Sequence, residues 1–159
     1  MFQFALTPRF WQQGDMLRRS RRPALSAGAL HPISVVLFDG SAVFRVNVES
    51  CTLDELTFPS EERSNWVGRC RFLLPRADGA FMALIADMGR PKVAYKNGES
   101  LILRDAGAML QTLALAAEYF GLGFSPLGIL GNEVVDALPK HEQLLAVGGA
   151  VVGLPLQSD

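Results

Sequence analysis

Apolar positions recur along this chain with two periods, and each period predicts a type of element. Ile33–Asp39 is dense in Val, Ile and Phe and reads as a strand. Asp39-Gly40 marks a turn, and Val43–Val48 then alternates as a half-buried strand would. Ala77-Asp78-Gly79 is a second turn, followed by Ala80–Met88, a strand with both faces apolar. Leu144–Val152, which includes Gly148 and Gly149, reads as the last strand. The clearest helix runs from about Leu103 to Tyr119, where Met109, Leu110, Leu113, Ala116, Ala117 and Phe120 follow helical spacing. Its other face (Ala106, Ala108, Gln111, Thr112, Leu115) is also poor in charge. Such a helix is expected to be buried on nearly all sides, at the centre of the domain or in a subunit interface. Asp105 reads as its N-terminal cap or first-turn acid, and Gly121 or Gly123 as its end.

The intervening segments are expected to be short or irregular. Phe2–Gln13 is read as a short helix interrupted by Pro8 and closed by Gly14, and Arg18–Pro32 as a loop. Thr52–Leu56 and Pro59–Ser64 resemble helical turns with acidic first turns. Trp66–Leu74 fits no single period, with Val67, Cys70, Phe72 and Leu73 as buried positions. Gly89–Gly98 and Ser125–Gly131 are expected to be loops, and Asn132 to cap a helix over Glu133–Leu138 that Pro139 stops. This order predicts an α+β domain, helices against a mostly antiparallel sheet, over residues 1–159.

Composition agrees with a folded domain. Of 159 residues, 49% are hydrophobic and 19% charged, enough for a core without disulfides or metal. The net charge of −1 argues against a nucleic-acid binder. The charge is uneven: residues 1–31 carry five arginines against Asp15, a balance of +4, so the remainder sums to −5. A basic segment of this kind either holds a phosphate or acidic partner or is a solvated surface. Cys51 and Cys70, without a CxxC or zinc spacing, read as reduced thiols in the cytoplasm. No apolar stretch predicts a signal peptide or a membrane span, so no membrane partner is expected.

Familiar catalytic signatures are missing from the sequence: there is no GxGxxG after a strand, no phosphate-binding GxxxxGK[ST], no HExxH and no GxSxG. The pairs Asp54/Glu55 and Glu61/Glu62 are explained by first-turn helix electrostatics. Two small-residue stretches stay open. Ser26-Ala27-Gly28-Ala29 before His31-Pro32 either lets a flat ligand approach backbone amides or merely turns the chain. Pro126-Leu127-Gly128 either presents a backbone N–H to a ligand edge or merely turns.

Three stretches together resemble the nitroreductase superfamily, in particular its SagB-type dehydrogenase branch. Arg22-Pro23-Ala24-Leu25-Ser26-Ala27-Gly28-Ala29-Leu30-His31-Pro32 is similar to the branch's R-x-x-P-S-A-G-A-L-H-P loop. Asp105-Ala106-Gly107 through Gln111, Leu115-Ala116-Ala117-Glu118 and Gly121-Leu122-Gly123 look like the family's central helix. Leu144-Leu145-Ala146-Val147-Gly148 is similar to the strand that ends the family core. The resemblance spans roughly Arg22 to Gly148.

It implies an antiparallel sheet wrapped by helices, an intertwined homodimer with the long helix at its interface, and FMN bound there. It implies that Arg22, Ser26, Ala27 and Gly28 contact the flavin from one loop, and that Pro126, Leu127 and Gly128 approach its reactive edge. Tyr95 and Lys96 are the nearest equivalent of the branch's catalytic Lys-Tyr pair, in reversed order, with Lys92 close by; either could act as general base. The implied activity is FMN-dependent two-electron oxidoreduction of a small organic or peptide substrate in the cytoplasm, with NAD(P)H as reductant for a reductase.

Three features depart from the family. Its N-terminal R-R-S-x-R helix, which grips the FMN phosphate, is not expected here, and Arg18-Arg19-Ser20-Arg21-Arg22 spells a similar string directly against the Ser-Ala-Gly loop. Gly149 stands where an Arg often follows the final V-G, and Thr112 where Asn is common. The alternative reading is therefore a shortened, flavin-free dimeric binding or scaffold protein.

Overall fold

The computed structural model describes residues 1–139 and 141–155; the expectation of one unit over 1–159 extends beyond them. Its centre is an antiparallel sheet of six strands in the order β5-β4-β3-β6-β8-β7. These are β3 (Ile33–Asp39), β4 (Ala42–Asn47), β5 (Thr52–Glu55), β6 (Gly79–Asp87), β7 (Gly123–Leu127) and β8 (Leu144–Gly153). Alternation along the central strands divides the interior in two. From β6, Met82, Leu84 and Ala86 enter one core, while Phe81, Ala83 and Ile85 enter the other. The first core is covered by α1 (Phe2–Leu6) and α4 (Gly98–Tyr119), the second by α2 (Ser60–Leu73) and α5 (Asn132–Asp136). The expected α+β architecture is present, and among the described residues no helix is long and apolar enough to cross a membrane.

A bulge in β8 keeps both cores apolar. Leu84 pairs with Gly148 and Ile85 with Ala146, so Val147 is the extra residue. The insertion shifts the alternation by one: Val147 and Ala150 both face the first core, and Ala146 and Val151 the second. Gly148 carries the bulge with φ +148°. Gly149 serves packing instead, because an added Cβ would lie 2.7 Å from the ring of the fully buried Trp66.

Several segments differ from the expectations. Thr52–Glu55 is an edge strand and not a helical turn, its ladder with β4 overriding the acidic pattern. Gly89–Ala94 is a helix, α3, and the long helix starts at Gly98, so only Tyr95–Asn97 remains of the expected loop. Asp105 is therefore inside α4 and not at its cap. Gly123–Leu127 is a strand on the free edge of β8. Asn132 lies inside α5, whose cap is Gly131 at φ +92°. Pro59 precedes one continuous helix that absorbs Trp66 and Cys70, both buried, whereas Phe72 is exposed. The N-terminal helix ends at Leu6, before Pro8, and Phe10–Trp11 (β1) then pairs with Ser20–Arg21 (β2). Gly121, at φ +68°, ends α4 as expected.

Replacing Gly149 with Ala is expected to lower stability by about 1–3 kcal/mol through overpacking against Trp66. Urea denaturation of the variant measures it, and an unchanged midpoint would refute the packing role.

Candidate functional site

The site is built where α4 meets the loop before β3. Asp105 is only 8% exposed on an otherwise apolar helix face. A carboxylate in such a place needs hydrogen-bond donors, and the small-residue loop supplies them. The Ser26 hydroxyl donates to Asp105 Oδ2 at 2.6 Å, and the Ala27 N–H donates to Oδ1 at 2.9 Å. Ser26 Oγ in turn accepts the His31 N–H at 2.9 Å. Its hydroxyl is therefore engaged within the protein as both donor and acceptor.

These bonds hold an unusual backbone. Gly28, Ala29 and His31 have φ of +58°, +56° and +46°. For Ala29 and His31 that conformation costs about 1–2 kcal/mol each and persists only where the surroundings fix it. At Gly28 a side chain is excluded twice, by φ and by the Tyr95 hydroxyl, which occupies the space a Cβ would need. The fold thus brings Tyr95, the residue that follows α3, onto the Ser26–Gly28 loop. Tyr95, Lys92 and Lys96 line one cavity of about 470 Å³.

His31 is 7% exposed, and its Nε2 lies 2.8 Å from the Ser20 carbonyl, so Nε2 carries the proton. Burial, with the nearby Arg22 charge, pushes its pKa down to about 4. Arg22 is half-buried, donates from Nε to Ser20 Oγ at 2.9 Å, and lies over the Trp11 ring at 5.8 Å. Burial and the Arg90 charge lower its pKa to about 10. Arg90 reaches the Leu17 carbonyl at 3.2 Å and the His31 carbonyl at 3.5 Å.

Pro126, Leu127 and Gly128 lie elsewhere. Leu127 pairs with Gly149 at the far edge of the sheet. The strand order places three strand spacings, roughly 14 Å, between that edge and β3. One copy of the chain therefore does not join these residues to the Ser26–Gly28 loop. The reading from sequence also missed Asp105 as the anchor, and Arg90 and His31 as neighbours of Arg22. A lone carboxylate in an apolar helix was the available signal for Asp105; nothing local marked Arg90.

Asp105→Ala removes the acceptor for two donors and is expected to cost about 2–4 kcal/mol. Hydrogen exchange should then lose protection at the Ala27 amide; retained protection would count against the anchoring role. A second outcome follows from His31. Its folded pKa lies below the unfolded value, so the stability it contributes is fully present above pH 6.5. That contribution is lost as pH falls towards about 4. Unfolding free energy measured over this range should fall, and His31→Gln should remove on the order of 2 kcal/mol of that fall. Equal slopes for both proteins would show that His31 is not the titrating group.

Against known proteins, the sequence matches no protein-family model. It is 31% identical over 133 residues to an FMN reductase [NAD(P)H] of Bacillus subtilis, a match covering 72% of this chain. The chain spans about half the length of that curated relative, 53%. A candidate nitroreductase structure from Anabaena variabilis superposes with a TM-score of 0.79 at 17% identity, covering 95% of this chain and 33% of the other. The E. coli microcin synthetase McbBCD complex, with truncated pro-MccB17 bound, gives 0.67 at 20% identity, covering 98% and 62%. The NfrA1 nitroreductase of B. subtilis gives 0.52 at 19% identity, covering 84% and 53%. The fold of this chain is nitroreductase-like.

Proposed function

We propose that residues 1–159 form one nitroreductase-like unit that acts in the cytoplasm as an FMN-dependent oxidoreductase similar to the SagB-type dehydrogenases. It works as a homodimer on a small organic or peptide substrate by a two-electron step, with NAD(P)H as reductant in the reductive direction. The observation that carries this reading is the loop tied to Asp105. The residues present fit a flat cofactor: Ala27, Gly28 and Ala29 carry at most a methyl group, Gly28 is exposed, and their backbone is rigidly set. The likeness to an FMN reductase [NAD(P)H] supports the cofactor and reductant, and the likeness to the McbBCD complex supports the branch.

FMN, when bound, supplies the two-electron acceptor and donor. The chain's own residues do the rest. Backbone groups of Ala27–Ala29 would lie against the bound flavin and hold it in place. Tyr95, beside Gly28, holds or moves a proton at its hydroxyl, and Lys92 and Lys96 place positive charge in the same cavity. Pro126, Leu127 and Gly128 complete the site from a second copy.

The surface of α4 supports that dimer. Leu103, Gly107, Gln111, Leu115 and Tyr119 form an exposed stripe at helical spacing, with Leu115 63% and Tyr119 75% exposed. The sequence expects this helix to be covered nearly all round, and one copy leaves this stripe open. One observation favours the second reading, a flavin-free dimeric binding or scaffold protein. Gly149 is packed under Trp66, so the place of the family's phosphate-gripping Arg has no room for a side chain.

FMN titration of the flavin-stripped chain, followed by flavin fluorescence with the mass of the same sample, separates the two. Saturable uptake by a dimer is expected, and Leu115→Glu should weaken both dimer and uptake. A dimer without uptake would overturn the oxidoreductase reading in favour of the scaffold.

A further inference from the structure

We infer that the free edge of β7 is a docking site for an extended peptide, which adds a strand there and seats a neutral apolar side chain in the cavity beside it. β7 pairs with β8 alone, so among the described residues no strand lies on its other edge. Pro126, which is exposed, tells which backbone groups that edge presents. It stays in register with Ala150 without an N–H to give, so this pair is of the kind that exchanges no hydrogen bonds. Alternation along the ladder assigns the same kind to Phe124 and Val152. The Phe124 N–H and C=O and the Pro126 C=O therefore point away from β8. Among the described residues, Phe124 has no backbone partner outside the sheet, and the Pro126 carbonyl meets only the Ser125 hydroxyl, at 3.5 Å.

The cavity, about 530 Å³, lies at the start of this strand between Leu74, Ala77, Phe124, Val151, Leu154 and Pro155. Gly123 and Ser125 also line it and leave room, since neither carries more than a hydroxymethyl group. A residue of the added strand opposite Ser125 shares its face, so its side chain enters this space. Arg76 and Asp78 are the charged residues of the wall, one of each sign, so the space has no net charge and suits a neutral side chain. Main-chain bonds to the edge supply affinity and the cavity selects the side chain.

Hydrogen bonding favours a peptide over a second copy of this chain. In a two-fold pairing of β7 with itself centred on Phe124, Pro126 would face Leu122 of the other copy. The Leu122 N–H is already given to the Ala117 carbonyl at 2.9 Å. Pro126 would then keep an unmet carbonyl in each copy, whereas a peptide with free N–H groups satisfies it.

The test is a calorimetric titration of the purified full chain with acetyl-Thr-Leu-Thr-Leu-Thr-amide, with hydrogen exchange on the same mixture. Saturable binding and slower exchange of the Phe124 amide are expected. The same peptide N-methylated at its central residue, and one with serine in place of leucine, should each bind at least about tenfold more weakly. These altered peptides test the site without changing the protein. Ser125→Phe, which fills the cavity, should also weaken binding, and its melting curve shows whether it folds.

Equal binding of the N-methylated peptide would reduce the site to an apolar pocket and overturn strand addition. Absent binding, or a Phe124 amide unchanged by the peptide, would overturn it as well. A Phe124 amide protected before any peptide is added, in a sample with the mass of a dimer, would give the edge to a second copy instead. The site stands on β7 and its cavity, whether or not the flavin reading holds. Failed FMN uptake with intact peptide binding would sink the flavin reading alone, and FMN uptake without peptide binding would sink this site alone.

Discussion

A single carboxylate fixes the geometry of the nitroreductase-like chain around the loop that precedes its sheet. Asp105 sits inside a long apolar helix, where water cannot satisfy it. Only a segment that can bring donors close to the helix backbone can lie beside it, and Ser26-Ala27 does so with one hydroxyl and one amide. The loop then has no freedom to relax, and the left-handed backbone of Ala29 and His31 is maintained. Because β3 begins two residues after His31, the same bond sets where the sheet starts relative to α4.

The electrostatics on the two sides of this loop are opposed. On one side the Asp105 charge is met by donors. On the other, Arg22 and Arg90 share a polar cavity with a histidine that burial keeps neutral. The N-terminal hairpin holds this arrangement through Trp11, whose ring lies under both Arg18 and Arg22. The basic run Arg18–Arg22 is thus not one patch: Arg18 and Arg19 are spent on Glu49 and Asp15, and Arg22 turns to the cavity.

The central strands were legible because their apolar density has only one solution; Ile33–Asp39 was read with the bounds the structure has. The interior of α4 was equally plain from its spacing. Its first turn was not, because Gly98 through Ser100 carry no apolar period, and the misplaced start made Asp105 a cap or first-turn acid. Thr52–Glu55 failed for another reason: acidic residues at a sheet edge and in a helical first turn look alike until a partner strand is known. Of the candidate site, the Ser26–Gly28 loop and Tyr95, selected on separate grounds, meet in the fold. The pairing of Arg22 with Arg90 was out of reach, since the two are far apart in sequence and meet only through tertiary structure.

The strand order also dictates when the molecule can form. β3, β4 and β5 are joined by short connections and can zip locally, but β6 must find β3 from a distance and then waits for β8. β7 has no neighbour except β8, the last of the strands to leave the ribosome. Until those residues emerge, one face of β6 and the whole of β7 have unpaired edges, so the sheet closes only after nearly all of the strands have been synthesised. During that interval the unpaired β6 edge is the segment most open to pairing with another nascent chain.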